Sequence, residues 1–290
     1  MLDTDSRPDF LVIGAMKSAT STLHAQLARQ PGFTMADPKE PNFFSDDMIY
    51  ALGGEWYANL FRDAPYGTIR GESSTHYSKL PTYPRTVERI AAALPRVKRI
   101  DVMRHPIDRL ISHYRHERNV GALDAGIEEA VDVDPTLIDY GRYSYQLARY
   151  LESFGPENIL PIFFDRLIPN SAEQFERIGR FLGLSRRLTW NPTLKPQNVT
   201  SQRLRRSPPR EAFVTSPLLT PIRQRLFPKV LAAPIEGFLR ENAEIPEIPP
   251  SLMERLVNTF DADLDRLSEW FGITLDCENF SKVTTERTRE

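Results

Sequence analysis

The sequence predicts an α/β fold, a central parallel sheet flanked by helices, and three observations lead there. Residues 9–23 read as a strand, a short loop of small residues carrying one lysine, and a helix. Residues 97–114 repeat the step from strand to helix, with Pro106 suited to a helix's first turn. Residues 158–182 repeat it once more. Short apolar, partly β-branched runs are the pattern of strands buried on both faces, and strands alternating with helices form parallel sheets.

The first strand, Phe10 to Ile13, ends at Gly14, and a helix follows from Ser21 to about Gln30, stopped by Pro31-Gly32. Small side chains in the loop between them let backbone N–H groups approach a ligand. The unpaired N–H groups of the new helix add to that site, which suits a phosphate-like anion. The nucleotide-triphosphate loop reads G-x-x-x-x-G-K-[ST]. Here Lys17 comes three residues after Gly14 with no second glycine before it, which argues against an ordinary ATP or GTP site.

Phe33-Thr34-Met35 reads as a short second strand, followed by Asp37-Pro38-Lys39-Glu40-Pro41-Asn42-Phe43-Phe44. Each proline biases the residue before it away from the α region, so Glu40 is expected on an extended, stiffened loop. Glu55 to Phe61 is a short predicted helix, and Thr68 to Ser74 a strand ending in a polar turn. Strands of open α/β sheets present their carboxyl ends to the ligand crevice, making Glu72, Ser73, Ser74, Thr75 and His76 pocket candidates. Thr82 to Leu94 reads as a helix with Val87, Ile90, Ala91 and Leu94 on one stripe.

Arg104 stands where the strand 97–103 ends, and Ser112 lies about 9 Å along the next helix from Pro106 at 1.5 Å per residue. An arginine at the crevice and a serine one to two turns into that helix can converge on one phosphate. Asp124 to Val131 reads as a short helix, and another begins near Gly141 with Leu147, Tyr150, Leu151 and Phe154 on one side. Asn158 to Phe164 is a further strand and Ser171 to Leu182 a helix stopped by Gly183. From Asn191 the chain is loop-like, with a basic cluster at Arg203, Arg205, Arg206 and Arg210, then proline-rich to Pro250. Leu252 to Phe271 is a final amphipathic helix, and 281–290 is a polar tail expected to fray.

The composition excludes several classes of function. The 290 residues are 40% hydrophobic and 26% charged, an ordinary globular balance for one large domain or two small ones. No run of about 18 apolar residues is present, so no transmembrane segment is expected. The N-terminus lacks the layout of a signal peptide, and with one cysteine, Cys277, there is neither a disulfide framework nor a cysteine metal cluster. A cytoplasmic protein is the reading. A net charge of −2 disfavours a globally basic nucleic-acid binder, and no nucleic-acid partner is expected.

The run Gly14-x-x-Lys17-Ser18-x-Thr20-Ser21-Thr22 resembles the 5′-phosphosulfate loop of sulfotransferases that use 3′-phosphoadenylyl sulfate (PAPS). Arg104-x-Pro106-x-x-Arg109-x-x-Ser112-x-Tyr114 resembles their 3′-phosphate motif, with arginine and serine eight residues apart. Lys39-Glu40-Pro41-x-Phe43-Phe44 resembles the segment carrying the catalytic glutamate in heparan-sulfate-type and many bacterial members, and Gly71-Glu72-x-Ser74-x-x-Tyr77 a further family run. Across roughly residues 9–206 the landmarks are similar to the bacterial and heparan-sulfate branch of the PAPS-dependent sulfotransferases.

The resemblance implies a single domain with the P-loop nucleotide-hydrolase-like sulfotransferase fold. Residues 8–206 form its nucleotide-binding core, 207–280 its C-terminal loops and helices, and 281–290 its tail. It implies in-line transfer of a sulfonyl group from PAPS to an acceptor hydroxyl, leaving 3′,5′-ADP, with no metal required. The acceptor is a glycan, lipid or polyketide-like small molecule. Lys17, Ser18, Ala19, Thr20, Ser21 and Thr22 would take the 5′-phosphosulfate. Arg104, Ser112 and one of Arg203, Arg205 or Arg206 would take the 3′-phosphate, with Tyr143 near cofactor or acceptor. Glu40 would be the general base, with Glu72 and His76 as rivals. Phe43, Glu72, His76 and Tyr77 would line the acceptor pocket. His24, His105, His113 and His116 read as ordinary polar or core histidines. A P-loop kinase or ATPase and a non-catalytic nucleotide-binding protein are the competing classes.

Overall fold

The structure, a computed structural model, describes residues 7–194 and 246–285. Five parallel strands form one sheet in the order β2-β3-β1-β4-β5. The chain enters at the centre with β1 (Phe10–Gly14) and runs through α1 (Thr20–Leu27) to the edge strand β2 (Phe33–Met35). Two short helices, α2 (Asp47–Tyr50) and α3 (Gly53–Asn59), precede β3 (Ile69–Ser73), which fills the place between β2 and β1. A one-turn 3₁₀ segment (Thr75–Ser78) and α4 (Thr86–Ala93) then lead to β4 (Lys98–Met103) on the other side of β1. The connections leave β1 in opposite directions, and the crevice beyond its carboxyl end is the switch point where open α/β sheets bind ligands.

The second half continues through α5 (Pro106–Val120), α6 (Ile127–Val133), α7 (Thr136–Asp139) and α8 (Tyr143–Phe154) to the edge strand β5 (Ile159–Phe163). Then come α9 (Phe164–Leu167) and α10 (Ser171–Leu182), and after the undescribed stretch α11 (Pro250–Phe271) and α12 (Phe280–Thr285).

Side chains alternate across β1, and so do the two cores. Phe10 and Val12, with Ile100, Val102 and Ile162, pack against Leu23 and Leu27 of α1 and Phe175 and Ile178 of α10. Leu11 and Ile13 face the other way, into a cluster with Ile90 of α4, Leu147 and Tyr150 of α8, and Leu264 and Leu267 of α11. Each fully buried Leu, Ile, Val or Phe stabilises by about 1.5–3 kcal/mol relative to exposure. This double burial explains why β1 reads as an unbroken apolar run.

Several expectations shift. The helix expected from Thr82 starts at Thr86, after the turn that holds Pro84. The sequence reading passed over α2, although Asp46 marks it: its carboxylate accepts from Met48 N–H at 2.9 Å and Ile49 N–H at 3.0 Å, an N-cap. Glu40 is not extended. Its φ is +62°, which still keeps it out of the right-handed region that Pro41 disfavours. The expected fraying from 281 is also corrected, because α12 runs to Thr285 with Phe280 and Thr284 buried. The expectations for Arg203, Arg205, Arg206 and the proline-rich stretch lie outside the described residues.

Candidate active site

The carboxyl ends of β1, β2, β3 and β4 converge on one edge of the sheet, and each delivers a different polar group. Gly14 ends β1 where only glycine fits. A Cβ there would sit 1.8 Å from Ser78 Oγ and 2.6 Å from Asp101 Oδ1. The Ala15 N–H then donates to the Val102 carbonyl at 2.9 Å, holding the loop start against β4. Lys17 and Ala19 both adopt positive φ, 72° and 62°, and Ala19 is the residue that opens α1. Alternating handedness of this kind turns successive backbone N–H groups into an anion-binding concavity, here at the N-terminus of an eight-residue helix. Ser18, Thr20 and Thr22 are buried beneath the loop, while Lys17, Ala19 and Ser21 are half-buried.

Arg104 follows β4 and reaches that loop: its Nη1 donates to the Lys17 carbonyl at 3.4 Å. Two contacts hold the arginine's backbone. The Tyr143 hydroxyl accepts from Arg104 N–H at 2.9 Å and donates to the Arg104 carbonyl at 2.6 Å. The guanidinium lies over the Phe164 ring at 4.9 Å, and its Nε is buried with no partner among the described residues. Tyr143 is 1% exposed. It braces Arg104 from inside the fold and presents no face to a ligand. Ser112 is buried on α5, two turns beyond His105, the residue that caps that helix ahead of Pro106.

Glu40, on the loop after β2, meets β3. Its N–H donates to the Ser73 carbonyl at 2.9 Å, and its Oε2 accepts from the Thr75 hydroxyl at 3.0 Å. The Lys39 ammonium pairs with Oε1. Burial works against the carboxylate, but Lys39, Thr75 and the nearby Lys79 outweigh it and hold Glu40 below the usual glutamate range. Its side chain keeps 30% exposure, so it remains open to a reactant.

The rivals fare differently. Glu72 is fully buried; its two oxygens take the Tyr57 hydroxyl and the Ser74 hydroxyl, the latter at 2.7 Å. Burial pushes its carboxyl above the ordinary range. His76 stacks on Tyr83 at 4.5 Å, and burial, with Lys79 beside it, lowers its pKa to about 4, so it is neutral and weakly basic near pH 7. Phe43 and Tyr77 are 3% and 2% exposed and belong to the core that packs Tyr57 and Phe44. Sequence reading set them in a pocket because it saw their neighbours and not their direction. Two other histidines tie elements together: His24 bonds Ser73 Oγ at 3.0 Å and His105 bonds the Cys277 carbonyl at 2.8 Å. His113 pairs with Glu117 at 3.2 Å within α5 and stacks on Tyr140 at 5.5 Å.

Two cations were overlooked. Lys39 carried a signal, since it adjoins Glu40 in the same run. Lys79 carried none. It lies over the Tyr140 ring at 5.5 Å, and its pKa is lowered to about 8 by burial, against the pull of Glu40 and Glu117. Only the fold brings it near Glu40. Among the described residues no group of three or more His, Cys, Asp or Glu could hold a metal ion, and no helix is long and apolar enough to cross a membrane.

Comparison with known proteins adds an independent line. A family model described as the sulfotransferase family matches residues 53–187, a stretch that includes Glu72, Arg104 and Ser112 and leaves Lys17 and Glu40 outside. The bifunctional heparan sulfate N-deacetylase/N-sulfotransferase 2 of Bos taurus is 30% identical over 212 residues, which cover 66% of this chain and 24% of that protein. The heparan sulfate glucosamine 3-O-sulfotransferase 6 of Homo sapiens is 31% identical over 191 residues, covering 63% of this chain and 54% of the relative. The chain thus spans less than two thirds of the length of these curated relatives. The crystal structure of a sulfotransferase from Alicyclobacillus acidocaldarius superposes with a TM-score of 0.64 at 23% identity, covering 93% of this chain and 97% of the other, and so shares the fold. By these matches the chain is similar to sulfotransferases in sequence across residues 53–187, and it shares the sulfotransferase fold.

Proposed function

We propose that the protein moves the sulfonyl group of PAPS to a hydroxyl of an acceptor by in-line displacement. The carrying observation is that the lysine-bearing loop after β1 and Arg104 after β4 meet at one sheet edge, with Glu40 beside them. PAPS is a polyanionic nucleotide with a phosphosulfate on the 5′ side of its ribose and a phosphate on the 3′ side, and that arrangement offers a cationic partner for each. In this reading the Lys17 ammonium offsets charge gathering on the 5′-phosphate oxygen as its bond to sulfur breaks. The loop N–H groups at Ser18 to Ser21 and the hydroxyls of Ser18, Thr20, Ser21 and Thr22 bind the remaining oxygens. Arg104 and Ser112 hold the 3′-phosphate.

Glu40 takes the proton of the acceptor hydroxyl while the new oxygen–sulfur bond forms. A carboxylate already ionised near neutrality and partly exposed suits that task better than the sealed Glu72 or the neutral His76. Positioning and electrostatics supply the catalysis, as in phosphoryl transfer. The names of the heparan sulfate relatives favour a glycan acceptor over a lipid or polyketide-like one.

Thermal unfolding with 3′,5′-ADP, and separately with ATP and Mg²⁺, tests the nucleotide. A ligand at a hundred times its Kd stabilises by about 2.7 kcal/mol, so 3′,5′-ADP should raise Tm where ATP does not. Stabilisation by ATP–Mg²⁺ alone would favour a kinase or ATPase. Incubation with ³⁵S-labelled PAPS and a panel of glycan acceptors then tests transfer.

A further inference from the structure

We propose that Ser74, braced by the buried Glu72 carboxyl, is a positioning residue that sets the Glu40 loop for proton abstraction. The inference rests on the reading of Glu40 as base. The loop needs a brace because Glu40 and Asn42 both hold positive φ, 62° and 54°, and neither is glycine. Left-handed residues other than glycine persist only where their surroundings over-determine them.

Ser74 supplies that determination from both sides. Its hydroxyl has one proton to give, and gives it to Glu72 Oε1 at 2.7 Å. That turns its lone pairs to the Asn42 N–H, which donates to Ser74 Oγ at 3.1 Å. Its own N–H donates to the Val12 carbonyl at 3.0 Å, fixing it to the strand that leads into the Lys17 loop. Glu72 is itself immobile, with its second oxygen on the Tyr57 hydroxyl and no exposure to solvent. The buried carboxyl thus orients one hydroxyl, and that hydroxyl fixes the loop two residues beyond the base. A chain of this kind also explains a glutamate sealed in the core, where a carboxyl is costly unless hydrogen-bonded.

The test uses the full chain with Ser74→Ala, Ser74→Cys, Glu72→Gln and Glu40→Gln. Amide hydrogen exchange at Asn42 and the ¹³C titration of the Glu40 carboxyl need no acceptor. Transfer from PAPS to an N-sulfated heparan sulfate oligosaccharide with free hydroxyls serves as the activity probe. In Ser74→Ala, Asn42 exchange should rise by up to about tenfold, the worth of one ordinary hydrogen bond, and the Glu40 titration should move up toward the usual range. Turnover should fall while KM for PAPS stays at the wild-type value, a split that general loss of structure would not produce. Ser74→Cys keeps the volume with a weaker acceptor and should fall between, which preserves the test if the alanine variant fails to fold. Glu72→Gln retains an acceptor oxygen and should keep Asn42 protected. Unchanged Asn42 exchange and Glu40 titration in both Ser74 variants would overturn the proposal. Wild-type transfer by Glu40→Gln, with Asn42 still released in the Ser74 variants, would remove the base assignment and leave the brace standing.

Discussion

Arg104 Nη1 donates to the carbonyl oxygen of Lys17 at 3.4 Å, although 87 residues separate the two. The contact joins the loop after the central strand to the loop after its neighbour. It sets two cationic side chains, one from each loop, on the same edge of the sheet.

Removing the Arg104 side chain takes away one anchor and its contact to the Lys17 carbonyl, and leaves the loop's N–H donors in place. A hydrogen bond to a charged group contributes about 1.5–3 kcal/mol, so Arg104→Ala should weaken 3′,5′-ADP roughly 10- to 100-fold. Isothermal titration measures it. Affinity equal to wild type would mean that the 3′-phosphate is held elsewhere.

Lys17→Ala should act on the chemical step. Loss of one preorganised group facing developing charge costs roughly 10²–10³ in turnover. Binding of 3′,5′-ADP should change far less, because the backbone N–H groups of the loop remain. Single-turnover rates with labelled PAPS separate the two effects.

The pH dependence follows from Glu40. Its carboxyl is held below the ordinary range, so it is charged at every pH above that range. Activity should lose its base only as pH falls through this depressed value. Lys39→Met removes the paired ammonium and should move the acid limb upward, toward or past the ordinary glutamate value. A limb that stays in place would detach Lys39 from the titration of the base.

Asp101 gives a stability prediction. It is buried between β1 and β5, and burial pushes its carboxyl up to about 7, above its unfolded value of 3.8. The folded state therefore binds the extra proton between those values. Stability contributed by the neutral form is complete at low pH and is lost as pH rises through about 7. Asp101→Asn removes the titration, so its unfolding free energy relative to wild type should be higher at pH 8 than at pH 5, by a difference on the order of a few kcal/mol. Equal differences at the two pH values would show that Asp101 does not titrate there.

The order of the strands and longer helices, the small-residue loop around Lys17 and the Arg104–Ser112 spacing were legible in the chain itself, because they are local. Burial on both faces writes an apolar run, and the stop at Gly14 and the first turn at Pro106 depend on residues within a few positions. Direction and distance were not legible. Phe43 and Tyr77 turn inward, into the aromatic core around Tyr57. Glu72 and Glu40 read alike in the sequence, and only the fold seals one beside Tyr57 and leaves the other partly open beside Lys39. Lys79 and Tyr143 acquired their roles from contacts between segments far apart in sequence. A sequence carries the period and punctuation of its elements, whereas solvent access and the meeting of distant charges arise only when the sheet closes and its helices pack.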